Sequence, residues 1–438
     1  MTAQTMNQTT KFSQFGAGMH RLMTDLYPIC RSITGNGLRE SLRIIQREIP
    51  LELNEVATGT KVFDWTVPKE WNIRDAYLKD PRGNKVIDFK SSSLHVVNYS
   101  VPIHTRMSLQ ELKGHLHSIP EHPDWVPYRT SYYKENWGFC LSHRMLEGLE
   151  EGEYEAYIDS SLEAGSVTYG ECFLKGETDD EILISAHSCH PSLCNDNLSG
   201  MVLATYLAKY LKGQPHKYSY RFLFAPGTIG SISWLALNEA RTARIKHGLV
   251  AACVGDPGPY RYKKSRRGNA DVDQAALHVL KHSGKDYTVI DFTPYDYDER
   301  QYCSPGFNLP VGNLSRTSHD SYPENHTSAD NLDFVKPEYL AESFSKYMEI
   351  LDILENNRRY LNTNPKCEPQ LGKRGLYGAF GGKKEASTYE VAMFWVLNFS
   401  DGHHTLLEIA VRSGFRFDVV RDTAATLLEH GLLKEVFA

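Results

Sequence analysis

The sequence predicts an α/β protein with a three-layer core on a mostly parallel sheet, a β-rich inserted domain and a C-terminal winged helix. Three observations lead to this prediction. Between residues 165 and 356, apolar runs of strand length alternate with stretches of helical periodicity. Residues 52–164 contain short alternating segments typical of antiparallel strands. After residue 387, three helical segments precede a final β segment.

The length and composition are those of a globular protein with more than one domain. A chain of 438 residues is too long for one ordinary core, and 41% hydrophobic and 23% charged residues are typical of soluble proteins. The predicted parts are an N-terminal helical part of the core, the β-rich insertion, the main core and the winged helix, at residues 11–50, 51–164, 165–371 and 385–438.

The charge and cysteine content limit the expected partners and location. A net charge of -6 gives no basis for nucleic-acid binding. No apolar run approaches the ~20 residues of a membrane span, and residues 1–10 lack the features of a signal peptide. The 8 cysteines are scattered, unlike a secreted disulfide framework. We expect a cytoplasmic protein that binds a small-molecule or peptide-like substrate, but no membrane and no nucleic acid; a homo-oligomer stays open.

The N-terminal part should be helical. Apolar residues recur at helical spacing from Phe15 to Tyr27, Pro28 interrupts the pattern, and residues 38–49 resume it. The loop at residues 30–37 is rich in turn residues, but no Lys-Ser/Thr pair follows it as in a phosphate-binding loop. We therefore expect no phosphate site there.

The insertion and the main core differ in their patterns. In the insertion, segments 61–67 and 94–101 predict strands, and its aromatic residues are interpreted as core residues and not as a binding surface. In the main core, strands are predicted at residues 182–186, 220–225 and 249–255, and helices at 198–211, 229–240, 272–282 and 337–354.

The C-terminal tail follows a Gly-rich link at residues 372–384. Its predicted elements are helices at residues 389–397, 406–413 and 417–430 and a strand at 432–437. The third helix carries few cations, mainly Arg416 and Arg421. A packing or dimerising role is therefore as well supported as DNA binding.

The stretch from Ser185 to Gly200 is the predicted centre of the protein. His187 ends an apolar strand, and Asp196 precedes a helix. Loops from the carboxyl ends of parallel strands converge at one edge of a sheet, so these residues suit a metal site there. The alternative is a polar loop in which His187 is hydrogen-bonded and Asp196 only caps the helix.

Later stretches supply further ligand candidates. Asp256 ends another predicted strand, and His326 lies in a loop with Asp330, which is placed to orient it or to cap the next helix. Imidazole and carboxylate groups together suit zinc. Asp196 could bridge two ions ~3.5–4 Å apart. His187 and Asp256 would then serve one ion and His326 the other.

The order of these residues resembles the co-catalytic zinc aminopeptidases. The chain is more closely similar to a bacterial aminopeptidase-like family of uncharacterised function, which is often associated with polysaccharide or secondary-metabolite gene clusters. The resemblance covers nearly the whole chain. The motifs that carry it lie at residues 27–37, 190–193, 264–266, 298–306 and 326–330.

This resemblance implies a zinc-exopeptidase-like core and one or two zinc ions held by His187, Asp196, Asp256 and His326. It also implies a metallopeptidase-type hydrolase that acts on an amide, peptide or N-acyl bond of a small substrate in a biosynthetic pathway. An activated water would attack the carbonyl, with a carboxylate as general base.

One position departs from the family pattern. The family usually has Pro-Glu-Thr-Ile-Gly-Ser where this chain reads Pro226-Gly-Thr-Ile-Gly-Ser231, so Gly227 cannot act as a base or a ligand. Three explanations are open. The second metal is lost, or one of the acids Asp298, Glu299 and Glu324 replaces the base. In the third, the pocket serves binding only or another reaction, such as a condensation or cyclisation. A ligand-binding regulator with a DNA-binding winged helix is a further alternative.

The remaining candidates concern the substrate. Arg300 and Tyr302 are expected to hold a substrate carboxylate or polarise its carbonyl, unless Arg300 forms a structural ion pair with Asp298. Arg266 is expected to line the cleft. His190 is expected to support a ligand or to be one. A nucleophilic pair of Cys189 and His190 is the remaining alternative, although sequence neighbours seldom face each other productively.

Overall fold

The computed structural model describes residues 3–317, 322–376 and 388–436, with side chains from residue 12 onward. Most of the predicted Gly-rich link and the outermost residues of the predicted winged helix lie outside the described residues. The chain divides into two compact units. One comprises Met1–Ala270 and Lys285–Ser345, and the other comprises Asp271–Gly284 and Lys346–Ala438.

The helices of the described ranges include those predicted, together with three short ones of four or five residues that the pattern did not predict. They are α1 (Ala3–Leu26), α2 (Asn36–Gln46), α3 (Leu109–Leu112), α4 (His143–Glu147), α5 (Ser199–Leu211), α6 (Ile229–Leu237), α7 (Asp271–Lys281), α8 (Glu299–Tyr302), α9 (Pro337–Asn356), α10 (Thr388–Phe399), α11 (Leu406–Ser413) and α12 (Phe417–Glu429). In α2, Leu38, Leu42 and Ile45 are buried at helical spacing, which is why this segment forms an amphipathic helix.

The strands of the described ranges belong to one large sheet and several small ones. They are β1 (Glu52–Ala57), β2 (Lys61–Val62), β3 (Trp65–Thr66), β4 (Glu70–Lys79), β5 (Lys85–Asp88), β6 (Ile103–Ser108), β7 (Leu116–His117), β8 (Phe139–Cys140), β9 (Glu153–Glu163), β10 (Ser166–Leu174), β11 (Glu181–His187), β12 (Ser219–Ala225), β13 (Ile245–Ala251), β14 (Tyr260–Lys263), β15 (Tyr287–Ile290), β16 (Val311–Ser315), β17 (Arg359–Asn362), β18 (Asp401–Thr405) and β19 (Leu433–Val436).

The large sheet has eight strands in the order β1-β10-β12-β11-β13-β16-β14-β15. Its centre is parallel, because β12, β11, β13 and β16 run in one direction. The pairs β1–β10, β10–β12 and β14–β16 are antiparallel. Every residue of β11 and β12 is buried, as expected for strands covered on both faces. The predicted α/β core is confirmed, with antiparallel strands flanking its parallel centre.

The β-rich insertion contains a separate sheet in the order β5-β4-β9-β6, so its predicted antiparallel character is confirmed. The predicted strand at residues 94–101 is wrong, because a short 3-10 helix at residues 93–95 and a turn occupy this segment, and residues 61–67 form only the hairpin of β2 and β3. Leu78, Phe139 and Ile158 belong to the insertion's own apolar core. A small parallel pair, β7 and β8, lies in the same region. The insertion is therefore a packed element with the stability to position residues at its edges.

The C-terminal unit contains a three-stranded sheet in the order β18-β17-β19 together with α10, α11 and α12. The strand β17 precedes the predicted boundary at residue 385, so the sheet of this unit draws on residues from both sides of the link. The two arginines of the predicted third helix are paired with acids: Arg416 with Asp418 at 3.1 Å and Arg421 with Asp352 at 2.6 Å.

Among the described residues, no helix is both long and apolar enough for a membrane crossing.

Candidate metal centre and cavity

The predicted centre lies where the parallel strands end. His187 is the last residue of β11, and Asp196 lies in the irregular turn that leads into α5. His187 Nε2 is 2.8 Å from Asp196 Oδ1, and His326 Nε2 is 3.1 Å from Asp196 Oδ2. The Asp196 carboxylate therefore lies between two imidazoles. This arrangement contradicts the alternative in which Asp196 only caps the helix.

His190 completes a group of potential ligands. One donor atom from each of His187, His190 and Asp196 lies within 4.8 Å of the other two. The ring Nδ1 of His190 is 3.0 Å from the Tyr128 hydroxyl, which orients the ring. Two imidazoles and a carboxylate, with His187 and Asp196 buried and His190 partly exposed, form a donor set that fits zinc. The structure thus places His190 as a potential ligand, whereas sequence reasoning gave more weight to a supporting role.

The electrostatics of the group favour a cation. Burial alone would raise the pKa of Asp196, but its bonds to His187 and His326 lower it well below the usual value. Asp196 is 1% exposed, so this carboxylate is an ionised group in a site with little water. An ionised buried carboxylate between imidazoles attracts a divalent cation, which would replace the contacts that the imidazoles now provide.

Asp330 holds the turn that carries Asp196. Its carboxylate accepts hydrogen bonds from the backbone N–H groups of Cys194 at 3.1 Å, Asn195 at 2.6 Å and Asp196 at 3.0 Å. Burial raises the pKa of Asp330 to about 7, although these donors act in the opposite direction. Asp330 thus positions Asp196, whereas the sequence suggested that it orients His326 or caps a helix.

Asp256, the predicted fourth ligand, is outside this group. One of its oxygens accepts a bond from the Asn195 amide at 2.9 Å, and the other accepts the backbone N–H of Gly258 at 2.7 Å. The structure therefore does not bring Asp256 into the group with His187, and its role as a shared ligand stays a prediction. The residue near the end of β13 that contacts the site region is Cys253, which lies 2.9 Å from the Tyr297 hydroxyl. No motif in the sequence singled out this cysteine.

The ligand candidates open onto a cavity of about 260 Å³, which suits a small substrate. Gly227 lines this cavity, and a Cβ at its position would lie 3.3 Å from His187 Cβ and 3.7 Å from Asp298 Oδ1. Asp298 lines the same cavity and accepts a hydrogen bond from the Ser231 hydroxyl at 2.9 Å. Burial raises the pKa of Asp298, with the nearby His187 acting in the opposite direction. A carboxylate therefore stands beside the position that lacks one.

The other proposed substitutes for the missing base do not reach the cavity. Glu299 is fully buried and forms an ion pair with Lys263. Glu324 is not among the residues that line the cavity, and its carbonyl accepts bonds from Thr327. The leading expectation for Glu299 is thus corrected, because its carboxylate neutralises a buried lysine.

Of the three further substrate-binding candidates, only Arg300 lines the cavity. Within the described residues it forms no ion pair with Asp298, so that alternative is not realised. Tyr302 is buried in the core, where its hydroxyl is 2.8 Å from the Ser185 hydroxyl. Arg266 is exposed and donates to the Asn308 side chain at 3.1 Å. Neither Tyr302 nor Arg266 lines the cavity, so the structure does not place them where the sequence analysis expected them.

Comparison with known proteins identifies the family. The model of DUF4910, a domain of unknown function, matches residues 20–357, well over half of the chain. The chain belongs to the DUF4910 family. A winged helix-turn-helix model matches residues 358–435, which include β17.

Relatives of this DUF4910 protein agree with the predicted fold. A Clostridium acetobutylicum protein is 55% identical over 426 residues, 97% of this chain and 98% of its own length; its name provisionally assigns it to polysaccharide biosynthesis with an aminopeptidase-like domain. A crystal structure from the same organism, provisionally called a peptidase, has 53% identity, a TM-score of 0.93 and 98% coverage of both chains. A Bacillus subtilis zinc aminopeptidase shares the fold with 12% identity, a TM-score of 0.56 and coverage of 77% of this chain and 94% of its own.

In this DUF4910 protein the insertion builds part of the cavity. The Tyr128 N–H donates to the His326 carbonyl at 2.8 Å, and Val126 exchanges bonds with Ser328, so the insertion holds the loop that carries His326. Trp65 and Tyr133 line the cavity as an edge-to-face pair with ring centroids 5.5 Å apart. The interpretation of the insertion's aromatic residues as core is therefore wrong for these two, which are exposed.

The DUF4910 site does not contain an activated thiol. Burial raises the pKa of Cys189 to about 12, so the thiolate needed for nucleophilic attack is absent at neutral pH. The imidazole of His190 contacts the Tyr128 hydroxyl and lies with the metal-ligand candidates. A nucleophilic pair of Cys189 and His190 is inconsistent with this arrangement.

Proposed function

We propose that this protein is a metal-dependent hydrolase of the aminopeptidase type, which cleaves an amide, peptide or N-acyl bond of a small substrate in a biosynthetic pathway. The observation that carries the proposal is the cluster of His187, His190 and Asp196, which opens onto the same cavity as Asp298. The Clostridium relative named for polysaccharide biosynthesis supports a biosynthetic role and not digestion of proteins.

The residues divide the chemistry between them. His187, His190 and Asp196 would hold one zinc ion, and the second oxygen of Asp196 with His326 offers part of a second site. Bound zinc supplies Lewis-acid polarisation of a carbonyl and lowers the pKa of water. Asp298 accepts a proton from the attacking water, because a carboxyl whose pKa is raised by burial is a better base than an ordinary one. Arg300 faces the substrate from the same cavity.

The decisive test is the metal content of the purified parent protein, Gly227→Glu and the control Gly227→Ala, measured by elemental analysis. One ion in the parent and two in Gly227→Glu would show that a carboxylate at position 227 can hold a second ion. Two ions in every variant would mean that the dinuclear site survives without that carboxylate. An absence of metal from every variant under metal-replete conditions would refute the proposal.

Hydrolysis gives the second test, with aminoacyl anilides, N-acyl amino acids and N-acetylated amino sugars as the panel. Asp298→Asn should lower kcat by about 10²–10⁴ and leave the metal content unchanged. Glu324→Gln is the matched control, since Glu324 lies outside the cavity lining, and it should retain the parent rate. Equal rates for Asp298→Asn and the parent would exclude Asp298 as the base.

A second candidate is a non-hydrolytic relative that uses the pocket for another biosynthetic step, such as a condensation or cyclisation. The observation that favours it is Gly227, which removes a carboxylate from the cavity wall. A parent protein that binds metal but hydrolyses no member of the panel, even as Gly227→Glu, would favour this candidate. DNA regulation has less support, because Arg416 and Arg421 are already paired with acids.

A further inference from the structure

Arg300 is unusual among the residues of the cavity. It lies in the short helix α8, lines the cavity and is half-buried. Its Nε atom is buried without a hydrogen-bond partner, and the described residues provide its guanidinium with neither an ion pair nor a hydrogen bond. A buried guanidinium nitrogen is costly unless an acceptor compensates it. The missing partner is therefore expected to come from outside the protein.

The acids nearest to this arginine are engaged elsewhere. Each cavity carboxylate already has a protein partner: Asp196 with His187 and His326, Asp296 with Lys263, and Asp298 with Ser231. The charge of Arg300 does act on Asp298, whose pKa it lowers, but among the described residues the Arg300 guanidinium donates to no carboxylate. Its hydrogen-bond donors are therefore available to a ligand in the cavity.

The position of Arg300 is fixed by its neighbours. Glu299, the preceding residue, forms an ion pair with the fully buried Lys263. Lys263 also contacts Asp296 at 3.0 Å and the Tyr295 carbonyl. These contacts hold the segment leading into α8 in place. Arg300 is thus presented from an ordered support, as a specificity-determining residue requires.

We propose that Arg300 is an oxyanion-binding subsite, so that the substrate of the proposed hydrolase carries a carboxylate or phosphate-type group. The inference rests on the proposed function only in taking this cavity as the substrate site. A guanidinium presents a planar fork of donors that matches a carboxylate or phosphate with two parallel hydrogen bonds. N-acyl amino acids and acylated sugar phosphates belong to this class, whereas neutral amides do not.

The test is binding of non-reacting probes to the full chain by isothermal titration calorimetry. The probes are N-acetyl-L-leucine, its phosphonate analogue and the neutral N-acetyl-L-leucinamide. The parent should bind at least one anionic probe about 10- to 100-fold more tightly than the amide. Arg300→Met should remove that preference and leave the Kd of the amide unchanged. Arg300→Lys should retain part of it, because a lysine keeps the charge but loses the fork.

Two controls separate binding at Arg300 from binding at other cations and from a loss of folding. Arg266→Met removes an exposed arginine outside the cavity and should leave the preference unchanged. Because Arg300 has no partner to lose among the described residues, Arg300→Met should keep the melting temperature within about 2 °C of the parent. After metal removal, the parent should still prefer the anionic probes and Arg300→Met should still lack this preference. This result distinguishes binding by the arginine from binding by a metal ion.

The results decide the proposal independently of hydrolysis. A preference for the carboxylate or for the phosphonate identifies which oxyanion the subsite takes. Failure of both anionic probes to bind the parent more tightly than the amide overturns the proposal. A preference that survives in Arg300→Met also overturns it. A chain that hydrolyses nothing but shows the Arg300-dependent preference would refute the proposed function alone.

Discussion

Replacing Lys263 by methionine tests how the cavity is supported. Lys263 and Glu299 are both completely buried and form an ion pair. Breaking such a pair leaves an uncompensated buried charge, which typically costs about 3–5 kcal/mol. We therefore expect Lys263→Met to reduce the free energy of unfolding by this amount in urea titrations at neutral pH.

Lys264 provides a matched control in the next residue. Its ammonium group is 2.9 Å from Asp291, whose side chain is 89% exposed. Exposed ion pairs contribute about 0–1 kcal/mol, so Lys264→Met should be nearly neutral. The two variants remove the same charge from adjacent positions, and only burial and the partner differ.

The pH dependence of the variant follows from Glu299. Burial raises the pKa of Glu299, and Lys263 acts in the opposite direction. Removal of the lysine therefore raises the pKa of Glu299 further. Because the pKa of Glu299 in the folded variant lies above its value in the unfolded chain, folding favours the protonated carboxyl. The loss of folding stability therefore grows as the pH rises above the unfolded pKa and is smallest below it. Lys263→Met should thus be destabilised less at pH 5 than at pH 8.

A double variant completes the test. Lys263→Met with Glu299→Gln removes the unpaired charge and should recover part of the lost stability, while Glu299→Gln alone should be destabilising. If Lys263→Met costs less than ~1 kcal/mol, like the exposed pair of Lys264, the argument that a buried ion pair supports α8 is wrong.

Three other changes have defined outcomes. Asp330→Ala should weaken metal binding about 10- to 100-fold in chelator competition, because the turn carrying a ligand loses its acceptor, and an unchanged affinity would contradict this role. Cys189→Ser should retain kcat within about twofold. A loss of kcat as large as that expected for removing a catalytic nucleophile would instead support a mechanism with Cys189 as the nucleophile. Arg39 holds Glu70 with a bidentate contact that lowers the pKa of Glu70 to about 2, so it stabilises the fold above pH 4.5 and loses this effect as the pH falls from 4.5 towards 2. Arg39→Met should therefore cost about 2 kcal/mol at pH 7 after allowance for screening and clearly less at pH 2, where about half of Glu70 is protonated, as measured by urea unfolding.

The sequence pattern identified β11 and β12 well, but it placed β13 four residues too late and missed β16, the fourth central strand. It was less informative for β17, which is short and pairs with β19 more than 70 positions later. No local pattern records such a distant partner. The pattern also could not show that the pairs β1–β10, β10–β12 and β14–β16 of the main sheet are antiparallel, because strand direction depends on connections and not on local periodicity.

For the site, the pattern placed residues near one another but could not give the direction of their side chains. Strand ends that meet at one edge brought His187 and Asp196 together, as expected. Asp256 also follows a strand, but it lies far enough into the loop for Asn195 and Gly258 to bind its carboxylate. Trp65 is a large apolar residue of the kind usually found in a core, and only tertiary packing shows that it lines a cavity.

Asp298 and Glu299 illustrate the same difficulty at adjacent positions. Asp298 is the N-cap residue of α8 and Glu299 is its first residue, so the two neighbouring carboxylates leave the chain in different directions. The structure selects Asp298 for the cavity and Glu299 for Lys263. Composition and spacing could not distinguish the two.

If Asp298 is the base, as proposed, the departure at Gly227 is a relocation of the base and not the loss of the site. A side chain at position 227 would begin 3.7 Å from an Asp298 oxygen, so a glutamate there would place a second carboxylate beside the first. Two such charges at short range raise the pKa of one of them and compete for the same ion. Gly227→Glu can therefore gain a metal ion and still lose activity, because the added group disturbs Asp298. For this reason the metal content of Gly227→Glu has to be compared with the rate of Asp298→Asn, and only the two together distinguish a vacated ligand position from a base that has moved.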